Sequence, residues 1–382
     1  MKILHTADWH IGSKLQGLER KEEQQAVLDE IIEIAKKEDV DAVFVCGDVF
    51  HHTISSNYAE KMIIDAFMKL ADNGRRCVIA LAGNHDDPER LTACKQFAER
   101  ENIFLVDGLN YEYGQSFSDK FTINLVDCGK GYLTFKKGNE KLVVNLMPYP
   151  YAWFNKEKTI KGESKTDKLA RLYSCGTVAF ENSSINVSIG HFFTSTSQRK
   201  SDIYFNFPKD RIPKSDYTAL GHVHDAITVS ERENIYYCGS PYQVNVTEAQ
   251  DRFVNVVQLE KGKKNIIKKI KLSAHKNIAV VEVNSFDDAV EKLKDKQDCL
   301  VSIKTTADSL KASEIQEIKN NYPNIFAFNI IPSIKKSIDV TKRNMNEKQV
   351  FEAFCKFSGE KVDQNLLKAF EEVFKGEKDE AN

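Results

Sequence analysis

Apolar and polar positions follow two alternating periods over the first hundred residues. Apolar runs of strand length occur in KILHTA (residues 2–7), DAVFVC (41–46) and RRCVIALAG (75–83). Between them, residues 21–38 and 56–74 place apolar side chains at helical spacing. Strands that alternate with amphipathic helices predict a parallel sheet with helices packed on it. We therefore predict an α/β fold for this part of the chain.

The pattern changes after residue 250, where the predicted segments are shorter. Residues 254–276 predict two strands joined at Gly262, whose lysines serve either a solvated edge hairpin or a patch for a nucleic-acid backbone. Residues 278–331 predict a small α+β unit, and two helices with aromatic stripes are predicted over 347–357 and 364–374. The expected domains span 1–275 and 276–333, followed by a linker (334–345) and a helix-loop-helix (346–376).

The composition limits the class of protein. The chain has 382 residues with 41% hydrophobic content, which is enough for more than one core. Its formal net charge of −2 excludes nucleic-acid binding through bulk positive charge, while a local basic patch stays open. The eight cysteines are scattered singly, so we expect reduced thiols. With neither a leader after Met1 nor an apolar run of roughly 18 residues, we expect a cytosolic protein that does not enter the membrane.

Polar clusters follow five of the predicted strands. Seven of the nine histidines lie in these clusters, although a short motif such as DWH is a weak signal by itself. Because functional residues gather at the carboxyl ends of parallel strands, we expect the clusters to meet at one edge of one sheet. The residues singled out are Asp8, His10, Asp48, His51, Asn84, His85, His191, His222 and His224.

The side-chain types in these clusters indicate a metal site. Carboxylates, imidazoles and an amide oxygen without a thiolate suit Mn²⁺, and less exclusively Mg²⁺, Fe²⁺ or Zn²⁺. The ligands exceed what one ion accepts, so we expect two ions bridged by a carboxylate. Asp48, at the end of the central strand of the first three, is the expected bridge. Such a pair of ions suits hydrolysis of a phosphoester.

The ordered motifs DWH, GDVFH, GNHD, GHFF and GHVH resemble the calcineurin-like metallophosphoesterase superfamily. The resemblance implies a two-sheet core flanked by helices, with a small α+β capping domain and a C-terminal helix-loop-helix. It also implies that one ion is held by Asp8, His10, Asp48 and His224. The second ion is then held by Asp48, Asn84, His191 and His222. His85 is expected to face the scissile phosphate as a catalytic acid, and His51 to orient the substrate.

Within that superfamily, HTADWHIG, MPYPY and YYCGSPY resemble the nuclease subunits of DNA-break processing complexes. This implies a manganese-dependent DNA exonuclease and endonuclease that binds a coiled-coil ATPase through its C-terminal helices. We also expect a homodimer, with Met62, Ala66 and Met68 as its seam, although half of that helix face must serve the protein's own core. Two alternatives stay open: a phosphodiesterase or phosphatase for a small or protein substrate, and a scaffold that has lost its metals.

Overall fold

The computed structural model describes residues 1–114, 120–194 and 206–331, together with residue 351. Two of the predicted segments, the linker over 334–345 and the helix-loop-helix over 346–376, lie outside the described residues except for residue 351. No helix in the described part of the chain is long and apolar enough to cross a membrane.

The described residues form 18 strands and eight α-helices. The strands are β1 Lys2–Thr6, β2 Lys14–Leu15, β3 Leu18–Glu19, β4 Ala42–Val45, β5 Cys77–Leu81, β6 Ile103–Val106, β7 Asn124–Gly129, β8 Tyr132–Lys137, β9 Glu140–Met147, β10 Ile185–His191, β11 Tyr217–Gly221, β12 Thr228–Ser230, β13 Ile235–Tyr237, β14 Phe253–Gln258, β15 Ile266–Lys271, β16 Ile278–Val283, β17 Leu300–Thr306 and β18 Ile325–Ile331. The helices are α1 Lys21–Lys37, α2 Asn57–Ala71, α3 Pro88–Leu91, α4 Lys95–Glu99, α5 Ala152–Lys156, α6 Lys165–Tyr173, α7 Phe286–Leu293 and α8 Ala312–Asn321.

The first sheet has six strands in the order β15-β14-β1-β4-β5-β6. Strands β1, β4, β5 and β6 are parallel, and the predicted hairpin of β14 and β15 pairs antiparallel with β1 at the edge. The apolar faces of α1 and α2 cover one side of this sheet with residues such as Val27 and Ile63. The α/β fold predicted from the periodicity is therefore confirmed.

The second sheet has seven strands in the order β12-β13-β11-β10-β9-β8-β7, of which β9, β10, β11 and β13 run parallel. Its inner face packs against the inner face of the first sheet, and the free thiols of Cys46 and Cys77 lie in that core. Helix α6 covers part of the outer face. The expectation of a single sheet is wrong, because β10 and β11 join β9 in the second sheet, while the resemblance implied this two-sheet core correctly.

Helix α2 corrects part of the predicted homodimer seam. Met62 and Ala66 are buried at 8% and 2% exposure in the core between α1, α2 and the first sheet. Their side chains are committed to the protein's own core because they lie on the helix face that covers the sheet. Met68, at 42% exposure, is the one residue of the three that stays on the surface.

The third sheet contains three parallel strands in the order β16-β17-β18. Helices α7 and α8 pack on it around a small core that includes Val283 and Ile303. Two amides at its start are anchored to the larger unit: Lys276 donates to Glu23 at 2.8 Å and Ile278 donates to Gln243 at 2.7 Å. Strands and helices therefore alternate through residues 278–331, where the sequence predicted a small unit containing both.

The lysines of the β14–β15 hairpin engage neighbouring acidic groups. Ion pairs join Lys261 to Asp216, Lys268 to Glu38 and Lys271 to Asp251. Lys269 lies over the ring of Phe253, 4.1 Å from its centroid. These contacts favour the interpretation of the hairpin as a charged sheet edge.

Candidate metal centre

The turns after β1 and β4 are joined by backbone hydrogen bonds. The Asp8 amide donates to the Gly47 carbonyl at 3.0 Å, and the His10 amide donates to the Asp48 carbonyl at 2.9 Å. Asp8, His10 and Asp48 adopt left-handed backbone conformations, with φ of 53°, 44° and 51°. Such conformations cost about 1–3 kcal/mol each and persist where surrounding contacts enforce them. The two turns thus hold both carboxylates in fixed positions.

The turn after β5 is fastened to the turn after β4. Asp86 accepts hydrogen bonds from the amides of Gly83 and Phe50, both at 2.8 Å, and from Val49 at 3.2 Å. Its burial raises the pKa of the carboxyl to about 7. Asp87 caps α3 by accepting from the amides of its first turn. These two acidic residues therefore support the turns.

The two sheets approach each other closely at two glycines, Gly47 after β4 in the first sheet and Gly221 on β11 in the second. A Cβ on Gly47 would lie 2.2 Å from His191 Nδ1, and one on Gly221 would lie 1.9 Å from the Cys46 carbonyl oxygen. This close approach lets His191 Nδ1 donate to the Cys46 carbonyl at 2.7 Å. Because the carboxyl ends of both parallel sets lie at the same edge, the side chains of the two sheets meet there.

Asp48 lies at the centre of this meeting point. Its Oδ2 is 3.5 Å from His10 Nε2 and 3.4 Å from His191 Nε2. Its Oδ1 accepts from the His85 amide at 2.7 Å. The carboxylate therefore lies between an imidazole of the first sheet and one of the second, which is the position expected for a bridging group.

The remaining predicted ligands lie on either side of Asp48. His10 Nε2 and His224 Nε2 are 3.0 Å apart on one side. On the other, the Asn84 Oδ1 lies 2.7 Å from His222 Nδ1 and 3.0 Å from His191 Nε2. The Asp8 carboxylate accepts from the His222 amide at 2.9 and 3.1 Å. The structure thus brings all seven predicted ligands together.

The buried carboxylates and imidazoles of the centre shift one another's pKa values. Burial raises the pKa of Asp8 to about 6. Burial also opposes ionisation of Asp48, but the imidazoles of His191 and His10 outweigh it and hold its pKa well below the usual range. Burial lowers the pKa of His191 while Asp48 raises it, to about 9. A cation that entered would therefore displace a proton from this pair.

The donor set fits divalent cations. Asp8 and Asp48 are 0% and 1% exposed, and carboxylates at such depth require a compensating positive charge. Ligand atoms of Asp8, His10 and His224 lie within 4.8 Å of one another, as do those of Asp8, Asp48 and His191. Imidazole and carboxylate ligands without thiolate are typical of Mn²⁺, Fe²⁺ or Zn²⁺ sites.

His85 and His51 line the cavity next to the predicted ligands. This cavity has a volume of about 550 Å³ and is bordered by side chains of both sheets. His85 Nδ1 lies 2.9 Å from the His51 carbonyl, which leaves Nε2 available toward the cavity. The two rings stack with centroids 5.5 Å apart. His52 is exposed, with its ring centroid 4.3 Å from that of His51, and His5 is buried between the sheets; neither of the two lines the cavity.

Two residues of the centre were missed by the sequence reasoning. Glu248 Oε1 lies 2.7 Å from His224 Nδ1, and no motif connects residues so far apart in the chain. Burial lowers the pKa of His224, but the hydrogen bond to Glu248 raises it above its usual value. The hydroxyl of Tyr151 contacts the carbonyls of Asn84 and Asp86, at 3.0 Å from the latter. The sequence signal that could have identified Tyr151 is its place in the motif MPYPY.

The fold and this centre define a class of enzyme. The sequence profile of the calcineurin-like phosphoesterase family matches residues 1–226, which is more than half of the chain. The chain belongs to the calcineurin-like phosphoesterase family. It is accordingly a metal-dependent phosphodiesterase whose buried His and Asp side chains form a candidate site for divalent metals.

More particular similarities extend beyond the family domain. The chain is 26% identical to SbcD, a component of the nuclease SbcCD, from Bacillus subtilis (strain 168), over 100% of this chain and 99% of that protein. It is 27% identical to SbcD of Escherichia coli (strain K12), over 74% and 71%. The resemblance to nuclease subunits that the sequence motifs indicated is thereby confirmed. A solved structure, a dimetal phosphatase from Danio rerio, matches 70% of this chain and 95% of its own with a TM-score of 0.40 and 10% identity.

Proposed function

We propose that this protein is a manganese-dependent DNA nuclease, acting as a double-strand exonuclease and as an endonuclease on single strands and hairpins. The observation that carries the proposal is the similarity to SbcD over the whole chain, including the parts beyond residue 226. The site geometry by itself fits any phosphodiester substrate. A role in DNA repair and recombination follows from this choice of substrate.

The proposed centre holds two Mn²⁺ ions. One ion is assigned to Asp8, His10, Asp48 and His224, and the other to Asp48, Asn84, His191 and His222. The position of Asp48 between His10 and His191 supports its role as the shared ligand. When bound, such a pair of ions supplies an activated water and neutralises charge on the phosphoryl oxygens.

His85 is the proposed catalytic acid. Its Nδ1 contacts the His51 carbonyl, so the ring has a fixed orientation and its Nε2 is left for a substrate in the cavity. As an imidazolium, His85 would stabilise the developing negative charge and protonate the leaving oxygen, which contributes typically 10²–10⁴-fold. His51, stacked on His85, is proposed to orient the substrate.

The proposed partners are DNA, a second copy of the chain and an SbcC-type coiled-coil ATPase. The predicted helices over 346–376 are the proposed ATPase contact, because their aromatic stripes present more apolar surface than a lone hairpin buries. The three-stranded sheet is proposed to belong to a capping domain that contacts DNA. We expect the complex in the cytoplasm.

The proposal is tested by incubating the purified chain with a linear duplex labelled at one end, with Mn²⁺ or Mg²⁺, with and without the ATPase subunit. A small diester, bis-p-nitrophenyl phosphate, is assayed in parallel. We expect manganese-dependent shortening of the duplex by the wild-type chain. His85→Asn should reduce cleavage at least 100-fold while retaining bound manganese, because His85 is assigned to proton transfer and not to metal binding.

His275→Asn is the matched control, since it makes the same change at a histidine bonded to the Gln250 carbonyl. It should cleave like the wild type. An untouched duplex under every condition, with turnover of the small diester, would favour the alternative phosphodiesterase with a small substrate. A chain that binds no metal and turns over neither substrate would favour the alternative of a non-catalytic scaffold.

A further inference from the structure

His224 has two ring nitrogens with different surroundings. Its Nε2 is 3.0 Å from His10 Nε2, inside the candidate metal centre. Its Nδ1 is 2.7 Å from Glu248 Oε1, outside that centre. A neutral imidazole carries one N–H, and a carboxylate only accepts, so the proton lies on Nδ1. The Nε2 lone pair is then directed toward the centre.

The carboxylate of Glu248 is itself held by several donors. Its Oε2 accepts from the Val244 amide at 2.8 Å and lies 3.2 Å from an Arg252 nitrogen. Its Oε1 accepts from the amide and the side-chain nitrogen of Asn245, both at 3.1 Å. The side chain is only 9% exposed. Glu248 therefore keeps its orientation whether or not His224 carries a ligand.

Arg252 fastens the same network to the backbone of His224. Its guanidinium is 1% exposed and donates to the His224 carbonyl at 2.7 Å and to the Ser240 hydroxyl at 3.2 Å. Glu248 thus fixes the ring of His224, while Arg252 fixes its peptide. Glu248 therefore restrains rotation of the His224 side chain, and Arg252 restrains movement of its backbone. Either motion would move Nε2 away from the centre.

Two other imidazoles of the centre, those of His191 and His85, have a neutral carbonyl as their outer partner. His191 Nδ1 donates to the Cys46 carbonyl, and His85 Nδ1 donates to the His51 carbonyl. A carboxylate partner differs from a carbonyl, because its negative charge increases the electron density on the opposite ring nitrogen. His224 therefore combines a fixed tautomer with a more basic Nε2.

We propose that Glu248 is a positioning residue that fixes the tautomer and orientation of His224 and strengthens binding of the ion that His224 holds. This inference rests on the proposed function, specifically on the assignment of His224 to one of two ions. Loss of an outer partner of a ligating histidine typically lowers metal affinity 10–100-fold. The effect should be confined to one ion, because Glu248 contacts His224, which is assigned to that ion alone.

The test compares Glu248→Gln and Glu248→Ala with the wild type, using the full chain. Glu99→Gln is the control, because Glu99 is also a buried carboxylate, 1% exposed, that accepts from the Tyr111 hydroxyl at 2.8 Å. Titration calorimetry with Mn²⁺ measures the two binding steps. The ¹⁵N shifts of the His224 ring in metal-free protein report its tautomer, and thermal unfolding reports the fold.

We expect Glu248→Ala to weaken one binding step about 100-fold and to leave the other step unchanged. Glu248→Gln, which keeps a neutral acceptor, should weaken the same step about 10-fold and preserve the Nδ1–H tautomer. In Glu248→Ala, the His224 shifts should indicate a mixture of tautomers. Glu99→Gln should bind both ions as the wild type does.

The proposal is overturned if both Glu248 variants bind the two ions normally, or if the His224 tautomer is unchanged in Glu248→Ala. It is also overturned if both binding steps weaken equally together with thermal stability in Glu248→Gln, since that pattern indicates a purely structural role. A wild-type chain that binds no Mn²⁺ contradicts the proposed function itself. The tautomer measurement still decides the role of Glu248 in that case, because it needs no metal.

Discussion

The two sheets contribute to the centre in different ways. The first sheet supplies the carboxylates and the amide from tight turns, where Asp8 and Asp48 occupy left-handed backbone conformations. The second sheet supplies imidazoles that follow extended strands, such as His191 at the end of β10. The turns of the first sheet are held by their own backbone hydrogen bonds, from the Asp8 amide to Gly47 and from the His10 amide to Asp48.

The second sheet instead depends on the first for the orientation of its ligands. His191 donates to the Cys46 carbonyl, and the His222 amide donates to the Asp8 carboxylate. The difference teaches that the carboxylates of the centre are placed locally, whereas the geometry of the second sheet's imidazoles depends on how closely the two sheets approach. Changes to the first sheet should therefore affect every ligand, and changes at the contact should affect mainly the second sheet's ligands.

The largest effect is expected from Asp48→Ala, which removes the carboxylate between His10 and His191. We expect loss of both ions and more than about 1,000-fold loss of phosphodiesterase activity, because the proposed shared ligand serves both ions. Metal analysis of the purified chain and turnover of bis-p-nitrophenyl phosphate measure the two quantities.

Asp87→Ala is the control for that change, since Asp87 caps α3 and lies outside the ligand set. It should lose about 0.5–2 kcal/mol of stability as a capping residue and retain its metals. If Asp48→Ala retained one full equivalent of metal, Asp48 would not bridge the two ions. A change to the first sheet would then not affect every ligand.

An intermediate effect is expected from Gly221→Ala, at the contact between the sheets. The added methyl group would lie 1.9 Å from the Cys46 carbonyl oxygen and 2.9 Å from His191 Nδ1. Because a backbone carbonyl cannot move aside cheaply, we expect about 1–3 kcal/mol of lost stability and weaker binding of the ion assigned to His191 and His222. Urea unfolding and manganese titration measure both.

Gly108→Ala serves as its control, because a Cβ there meets Trp153 at an ordinary 3.4 Å. That variant should keep its metals and most of its stability. Gly221→Ala could instead weaken binding of both ions equally. That result would mean that the ligands of the second sheet depend on the contact no more than the ligands of the first sheet do.

The smallest effect is expected from His5→Gln, again between the sheets. His5 on β1 lies 2.9 Å from the Tyr217 hydroxyl and 3.1 Å from the Leu220 carbonyl, and burial lowers its pKa to about 3. The unfolded chain takes up a proton below about pH 6.5, but the folded chain does not until about pH 3. Stability therefore falls as the pH drops through this window.

Glutamine offers both a donor and an acceptor but does not titrate, so the variant should lose stability less steeply on acidification. The difference should reach at most about 1.4 kcal/mol per pH unit. Urea unfolding at pH 7.5, 6 and 5 measures the slope for both proteins. Equal slopes would indicate that His5 is not held neutral at the contact between the sheets.

The sequence alone determined much of the first sheet and the chemistry of its edge. Apolar runs predicted β1, β4 and β5 within a few residues, and the clusters after them named the carboxylates and histidines that meet in the structure. These features are local, because the apolar run of a strand and the polar residues of the turn that follows it are neighbours in the sequence. The types of side chain also indicated a site for divalent metals.

Only the tertiary structure decided which sheet each cluster belongs to and what orients its ligands. The expectation of one sheet was wrong for β10 and β11, because the pairing of β10 with β9 and of β11 with β10 depends on long-range packing that periodicity does not encode. The bond from His191 to Cys46 joins residues 145 positions apart. Glu248 was missed for the same reason: its effect on His224 exists only once the two sheets and the loops beyond them have folded together.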